Sequence, residues 1–179
     1  MAHDRVWVDT RDTHLYRVNL ALKGKYKKFV GFVKFERSID EEAAVKDYFY
    51  IFIDHVLPQK LLKKARYLSS AFNSRWREYF NMSKNYSPIC TTMERVSMEN
   101  DYDHKMFVYL VDLAAIWFPG VLAEFTTLIP TMRIKHVSAW KYLIKCGVTV
   151  APDYVGRVKK YGHKWPKTFE FLLEQNKQQ

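Results

Sequence analysis

The predicted fold class depends on residues 16–35, YRVNLALKGKYKKFVGFVKF. The first half of this stretch has an apolar side chain at every second position, which is typical of a half-buried β-strand: Tyr16, Val18, Leu20 and Leu22. Gly24 and Lys25 predict a turn, and residues 29–35 (FVGFVKF) predict the partner strand because they are rich in valine and phenylalanine. We therefore expect an antiparallel β-hairpin whose tip is basic, with Lys23, Lys25, Lys27 and Lys28.

The rest of the chain predicts helices. Residues 38–41 (SIDE) form a capping box ahead of a helix that ends near Leu57, although the β-prone run 48–53 leaves a strand as an alternative. In the next helix the apolar side chains share one stripe: Leu61, Ala65, Leu68, Phe72, Trp76 and Tyr79. The patterns indicate further helices at residues 105–118, 121–129, 131–146, 152–161 and 166–175, and Gly147 is expected to cap one of them.

These patterns together predict an α+β fold. A small N-terminal antiparallel hairpin or sheet, with another strand candidate at residues 6–8, would pack on a mostly helical body. The 179 residues fit a single domain, 1–179, with a β-rich part at 1–37 and a helical part at 38–179. The aromatic content of 16% excludes a disordered chain, because disorder requires few aromatic side chains.

The chain has only two cysteines, Cys90 and Cys146, and they do not form a CxxC pair. Two reduced thiols in a reducing compartment are favoured over a disulfide. The N-terminus has no signal-peptide pattern, so we expect an intracellular protein of the cytoplasm or nucleus. Residues 106–129 are the most apolar stretch, but Asp112, Glu124 and the Pro119-Gly120 break argue against a bilayer span.

The formal net charge is +10, which favours an anionic partner such as nucleic acid or an acidic membrane surface. The excess is concentrated in three blocks. Residues 1–37 have nine basic and four acidic side chains, residues 58–84 have seven and one, and residues 131–179 have ten and three. Three separate segments must therefore supply any anion-binding surface.

Each block contains a candidate nucleic-acid-binding segment. The first is the turn with Lys25, Lys27 and Lys28, where lysines are also expected merely to protect an edge strand. The second is a helical stripe of cations, Lys63, Arg66 and Arg77, which would cover about 21 Å of helix and several phosphates. The alternative interpretation of that stripe is an ordinary solvated helix face.

The third segment interleaves cations with aromatic side chains: Arg157, Lys159, Lys160, Tyr161, Lys164 and Trp165. Cations hold phosphates and aromatic faces stack on unpaired bases. Alternatively, Tyr161 and Trp165 anchor the C-terminal helices to the core.

The sequence has no motif of nucleotide-binding, hydrolase or metalloprotease sites, and we expect no cofactor and no metal. The acidic residues Asp9, Asp12, Asp101 and Asp103 keep a metal-dependent nuclease open as an alternative. However, Asp9 and Asp12 fit a polar connection between strands, and residues 101–104 fit a helix N-cap. Cys146 beside Lys145 is expected to be structural, because no base accompanies it in the sequence.

The sequence thus predicts a non-enzymatic nucleic-acid-binding protein that prefers RNA and contacts mainly the phosphate backbone. The alternative is a structural or peripheral membrane protein, matrix-like, that binds anionic surfaces or partner proteins. A small, basic, aromatic-rich chain of this type would suit a virus-encoded or ribonucleoprotein-associated factor, and a homo-oligomer is left open. The prediction depends on whether the three basic segments meet on one surface.

Overall fold

The computed structural model describes residues 10–83, 87–118, 120, 122 and 133–177. The chain divides into two compact units, Met1–Glu78 and Tyr79–Gln179, called here the N-terminal and C-terminal units. The described residues contain helices and no β-strand, so the predicted α+β class is wrong and only its mostly helical body is confirmed. The single domain over 1–179 stays a prediction.

The N-terminal unit is built from helices that follow one another with short connections. They are α1 (Thr10–Lys23), α2 (Tyr26–Ile39), α3 (Glu41–Ile51) with a π-helical turn (Phe52–Val56), α4 (Leu62–Ala71) and α5 (Asn73–Ser83), whose last turn enters the C-terminal unit. Helix α2 packs on α3, and α1 and α4 both pack on the π-helical turn.

The predicted β-hairpin is a hairpin of two α-helices, so the β-rich part assigned to 1–37 is wrong for the described residues 10–37. The predicted connection at Gly24 and Lys25 is confirmed. A Cβ atom on Gly24 would lie 2.5 Å from the carbonyl oxygen of Leu20, so this tight turn requires glycine. The strand candidate at residues 6–8 lies outside the described residues.

The core of the N-terminal unit is a stack of aromatic rings. Phe72 stacks on Tyr48 and on Trp76, with ring centroids 5.9 and 5.1 Å apart. The predicted apolar stripe is confirmed at its buried centre, which consists of Ala65, Leu68, Phe72 and Trp76.

The single helix predicted from Leu61 is nevertheless divided into α4 and α5. Phe72 leaves the helical conformation, with φ −120° and ψ 13°. One turn earlier the Ser69 hydroxyl donates to the carbonyl oxygen of Arg66 at 3.2 Å, a back-bond that bends helices. Arg77 therefore belongs to a different helix from Lys63 and Arg66.

The helix predicted after residue 38 is confirmed to the neighbourhood of Leu57, and the aromatic run within it is helical. Its predicted cap is wrong. The cap is Asp40, whose carboxylate accepts from the backbone N–H of Ala43 at 3.0 Å. Ser38 is still in α2, where its hydroxyl donates to the carbonyl oxygen of Phe35 at 2.6 Å. Asp40 is the cap because it has the extended backbone directly before α3, with φ −149° and ψ 99°, whereas Ser38 is still helical.

The C-terminal unit contains α6 (Ser87–Met98), α7 (His104–Trp117), α8 (Val137–Lys145), α9 (Pro152–Val158), a 3₁₀ turn (Lys159–Tyr161) and α10 (Pro166–Lys177). Helix α7 packs on α6 and α8, and α10 packs on α8 and α9. The helices predicted at 105–118, 152–161 and 166–175 are confirmed, whereas the one predicted at 131–146 begins only at Val137. The helix predicted at 121–129 falls outside the described residues except for Leu122.

Gly147 is confirmed as the residue that ends α8. Its φ of +93° lies in the left-handed region. The N–H of Gly147 donates to Ile144, and the N–H of Val148 donates to Leu143, which is the double hydrogen bond of a Schellman motif. Within the described residues, every helix is too short or too polar to span a bilayer.

Candidate nucleic-acid interface

Lys64 joins two of the three basic segments. From the first turn of α4 its Nζ atom donates to the backbone carbonyl oxygens of Gly24 at 2.9 Å, Leu20 at 3.4 Å and Ala21. The same ammonium group lies 5.5 Å from the ring centroid of Phe29, and burial lowers the pKa of Lys64. Lys64 thus caps the C-terminus of α1 and holds α4 against the turn between α1 and α2.

A second contact between α4 and α2 lies one turn further along. The ring of Tyr67 approaches Tyr26 edge to face, with centroids 6.4 Å apart, and Phe29 at 6.3 Å. Because Lys64 and Tyr67 are three residues apart, they define the side of α4 that faces α2. The segments 23–28 and 63–67 therefore lie side by side in the N-terminal unit.

The cations around this junction are exposed: Lys23, Lys25, Lys27, Lys28, Lys63 and Arg66. Within the described part of the chain, no ion pair joins any of them to a carboxylate. The segments themselves carry no acidic residue from position 13 to 35 or from 55 to 77. We call these six residues, with Tyr26 and Tyr67, the basic junction.

We expect the substitution Lys64→Met to lower the free energy of unfolding of the N-terminal unit by about 2 kcal/mol, because buried carbonyls at the end of α1 lose their donor. The effect is measurable by urea denaturation. The matched control is Lys63→Met on the exposed neighbour, which should change stability by less than about 0.5 kcal/mol. Equal effects of the two substitutions would contradict the role of Lys64.

Arg77, the third cation of the predicted helical stripe, is exposed but lies beyond the break at Phe72. The continuous stripe of about 21 Å is therefore absent, since that length assumed one straight helix. Arg77 stays a predicted contact residue without a place in the basic junction.

The third basic segment belongs to the C-terminal unit and spans the end of α9, the 3₁₀ turn and the start of α10. Lys159, Lys160 and Lys164 are exposed. Arg157 is paired with Asp153, at 2.7 Å, across one turn of α9. This pair removes part of the positive charge that the sequence assigned to the segment.

The side chain of only one of the two aromatic residues in this segment is described. Trp165 is half-buried, which fits an anchor better than a fully exposed stacking platform. The side chain of Tyr161 is outside what the structure describes. Gly162 lies so close to Phe169 that a Cβ atom would meet its ring at 3.0 Å, which explains the glycine between the two cationic turns.

The acidic clusters have structural roles where they are described. Asp103 is the N-cap of α7, and its carboxylate accepts from the N–H of Met106 at 2.9 Å, as predicted for residues 101–104. Residues 10–14 begin α1, so the polar connection between strands that we expected around Asp9 and Asp12 is wrong for them. Asp9 and the side chain of Asp12 lie outside the described part. The described residues include no cluster of three or more metal-ligating side chains.

The cysteines are both free thiols. Burial raises the pKa of Cys90 to about 12. Burial, and then the charge of Asp112, raise the pKa of Cys146, which is the opposite of what an activated nucleophile needs. The structural role predicted for Cys146 agrees with this environment.

Comparison of the chain with protein-family models, with curated proteins and with solved structures found no match.

Proposed function

We propose that the protein binds RNA without catalysing a reaction, and that the basic junction of the N-terminal unit is its principal contact surface. The observation that supports this is the position of Lys64, which brings residues 23–28 and 63–66 side by side. Six exposed cations then belong to two adjacent segments that contain no carboxylate. Such a surface favours contacts to phosphates, which provide affinity rather than sequence recognition.

The preference for RNA rests on the tyrosines. Tyr26 is 43% exposed and lies between the lysines of the turn and the half-buried ring of Tyr67. An exposed ring beside cations can stack on an unpaired base, and unpaired bases are common in RNA but not in duplex DNA.

We propose the exposed cations of the C-terminal segment, Lys159, Lys160 and Lys164, as a second contact region. The proposal implies a protein of the cytoplasm or nucleus.

The test is a charge-neutralised variant with four substitutions in the basic junction: Lys25→Gln, Lys27→Gln, Lys28→Gln and Lys63→Gln. Its affinity for a single-stranded RNA of about 20 nucleotides should fall at least about tenfold, and the slope of log K against log salt should decrease by about 3. Fluorescence anisotropy at several salt concentrations measures both quantities. Circular dichroism verifies that the variant is still helical.

The matched control neutralises four exposed lysines of the C-terminal unit that belong to no candidate segment: Lys105, Lys141, Lys145 and Lys177. Because both variants lose the same charge, a specific surface requires the control to bind nearly as tightly as the parent protein. Equal losses in the two variants, or no RNA binding by the parent protein at low salt, would overturn the proposal. Tighter binding of duplex DNA than of RNA would overturn the RNA preference.

A further inference from the structure

An apolar face lies along the outside of the α1–α2 hairpin. Phe35 is 59% exposed and Ile39 is 68% exposed, one turn apart on α2. The half-buried ring of Phe32 lies between Phe35 and Tyr16 of α1, with centroids 6.5 and 5.1 Å away. Leu15, also 59% exposed, follows on α1. Contiguous exposed apolar side chains of this size mark interaction surfaces. We call these five residues the hairpin face.

The two ends of the hairpin face carry opposite charges. At one end Lys28 precedes Phe32 by one helical turn and is exposed, with Lys27 beside it. At the other end Ile39 is followed directly by three exposed acidic residues, Asp40, Glu41 and Glu42. Asp40 caps α3 and Glu41 pairs with Arg37 at 2.7 Å, so Glu42 is the carboxylate that a partner would meet. On α2 the face runs from Phe32 to Ile39 and is therefore a short apolar strip of about 10 Å, with a basic end and an acidic end.

We propose that the hairpin face binds the hairpin face of a second copy of this chain, with the two α2 helices antiparallel about a two-fold axis. In this arrangement the basic end of each copy lies against the acidic end of the other. A two-fold interface pairs the same surface with itself, and a strip with unlike ends satisfies that requirement only when it is antiparallel. Phe35 lies between Phe32 and Ile39, about one turn from each, so the axis passes near Phe35.

The acidic end also distinguishes this partner from an anionic membrane. A lipid surface would contact the whole face at once and would repel Asp40, Glu41 and Glu42. A second copy places a lysine opposite these carboxylates instead. Lys28 belongs to both surfaces, because it lies where the basic junction adjoins the hairpin face. The pairing itself requires no RNA, so it goes beyond the proposed function and is measured in the absence of RNA.

The first experiment measures the mass of the full chain by sedimentation equilibrium over a range of concentrations. We expect a monomer–dimer equilibrium, with Phe35→Glu raising the dimer dissociation constant at least about tenfold, because it places a carboxylate at the centre of the interface. The matched control is Ile116→Glu, on a side chain of α7 that is 52% exposed and lies outside the hairpin face. Far-ultraviolet circular dichroism verifies that both variants fold.

The second experiment tests the antiparallel orientation by exchanging charges. Lys28→Glu and Glu42→Lys should each weaken the dimer, and the double variant should recover most of the loss because every pair is restored with its signs reversed. A monomer at all concentrations, or equal weakening by Phe35→Glu and Ile116→Glu, would overturn the dimer. A double variant that is weaker than both single variants would overturn the orientation. Flotation of the monomeric parent protein with anionic vesicles, if it is lost in Phe35→Glu, would assign the face to membranes instead.

Discussion

Replacing Trp76 by alanine is expected to lower the free energy of unfolding of the N-terminal unit by about 4 kcal/mol. The indole is completely buried on α5 and lies against three aromatic rings. It stacks on Phe72, meets Phe49 edge to face at 5.7 Å and lies 4.9 Å from Phe52. Its Nε1–H donates to the carbonyl oxygen of Val45 at 2.9 Å. The alanine would leave a large cavity and would remove the hydrogen bond to Val45.

Urea denaturation followed by circular dichroism measures this loss, and two variants separate its causes. Trp76→Phe keeps an aromatic ring but removes the hydrogen bond to Val45, so it should cost about 1–2 kcal/mol. Arg77→Ala changes the exposed neighbour and should stay within about 0.5 kcal/mol of the parent protein. If Trp76→Ala and Arg77→Ala had the same effect, the aromatic stack could not be the core of this unit.

The apolar stripe of which Trp76 is part was predictable because its signal is helical over four turns. Ala65, Leu68, Phe72 and Trp76 are buried as their spacing required. The break between α4 and α5 was not predictable from that spacing. Phe72 leaves the helical conformation while its side chain stays buried in the stripe, so the break does not alter the pattern of apolar residues.

The error in fold class has one physical origin. The alternating pattern of residues 16–22 predicted that Arg17 would be a polar residue on the exposed face of a strand. The abundance of valine and phenylalanine in residues 29–35 also favoured a strand. In the structure Phe29 and Val33 are buried four residues apart, which is the helical spacing. Tyr16 and Phe35 are apolar but exposed, so an apolar residue in this hairpin is not necessarily buried.

The sequence predicted which segments of the candidate site are basic, but not which of them lie next to each other. The sequence identified which segments are basic, and the exposure of Lys25, Lys27, Lys28 and Lys63 agrees with that. The adjacency of two segments depends on Lys64, which was not among the candidate residues. No pattern distinguishes a lysine that caps a distant helix from one that is solvated, because its carbonyl partners are about 40 residues away in the chain.

Arg17 is the residue that holds the N-terminal hairpin on α3, and Arg17→Met is expected to cost about 3 kcal/mol of unfolding free energy. The guanidinium group is 16% exposed and donates to both carboxylate oxygens of Glu36 at 2.8 and 3.0 Å and to Asp47 at 2.6 Å. The Tyr48 hydroxyl donates to the same Glu36 at 2.6 Å. Methionine fills a similar volume, so the main consequence is a largely buried Glu36 carboxylate without its cation.

A double-mutant cycle with Glu36→Gln tests this explanation. The amide oxygen of glutamine can still accept from Tyr48 but carries no charge, so Arg17→Met/Glu36→Gln should be more stable than Arg17→Met alone. Arg157→Met, which removes an exposed ion pair with Asp153, is the control and should cost less than about 1 kcal/mol. A double variant no more stable than Arg17→Met would show that the loss comes from packing rather than from the unpaired carboxylate.

The pH dependence of stability gives the same network a second test. Burial, followed by the hydrogen bond to Glu36, raises the pKa of Tyr48 in the folded protein. The unfolded chain therefore releases the Tyr48 proton first, and the free energy of unfolding should fall as pH rises above about 10.

For Arg17, burial acts to lower the pKa, but the hydrogen bond and charge of Glu36 outweigh it and the pKa is raised, so the guanidinium keeps its charge. The cost of Arg17→Met should accordingly be the same at pH 7 and pH 9, and a cost that disappeared within that range would assign the effect to another group.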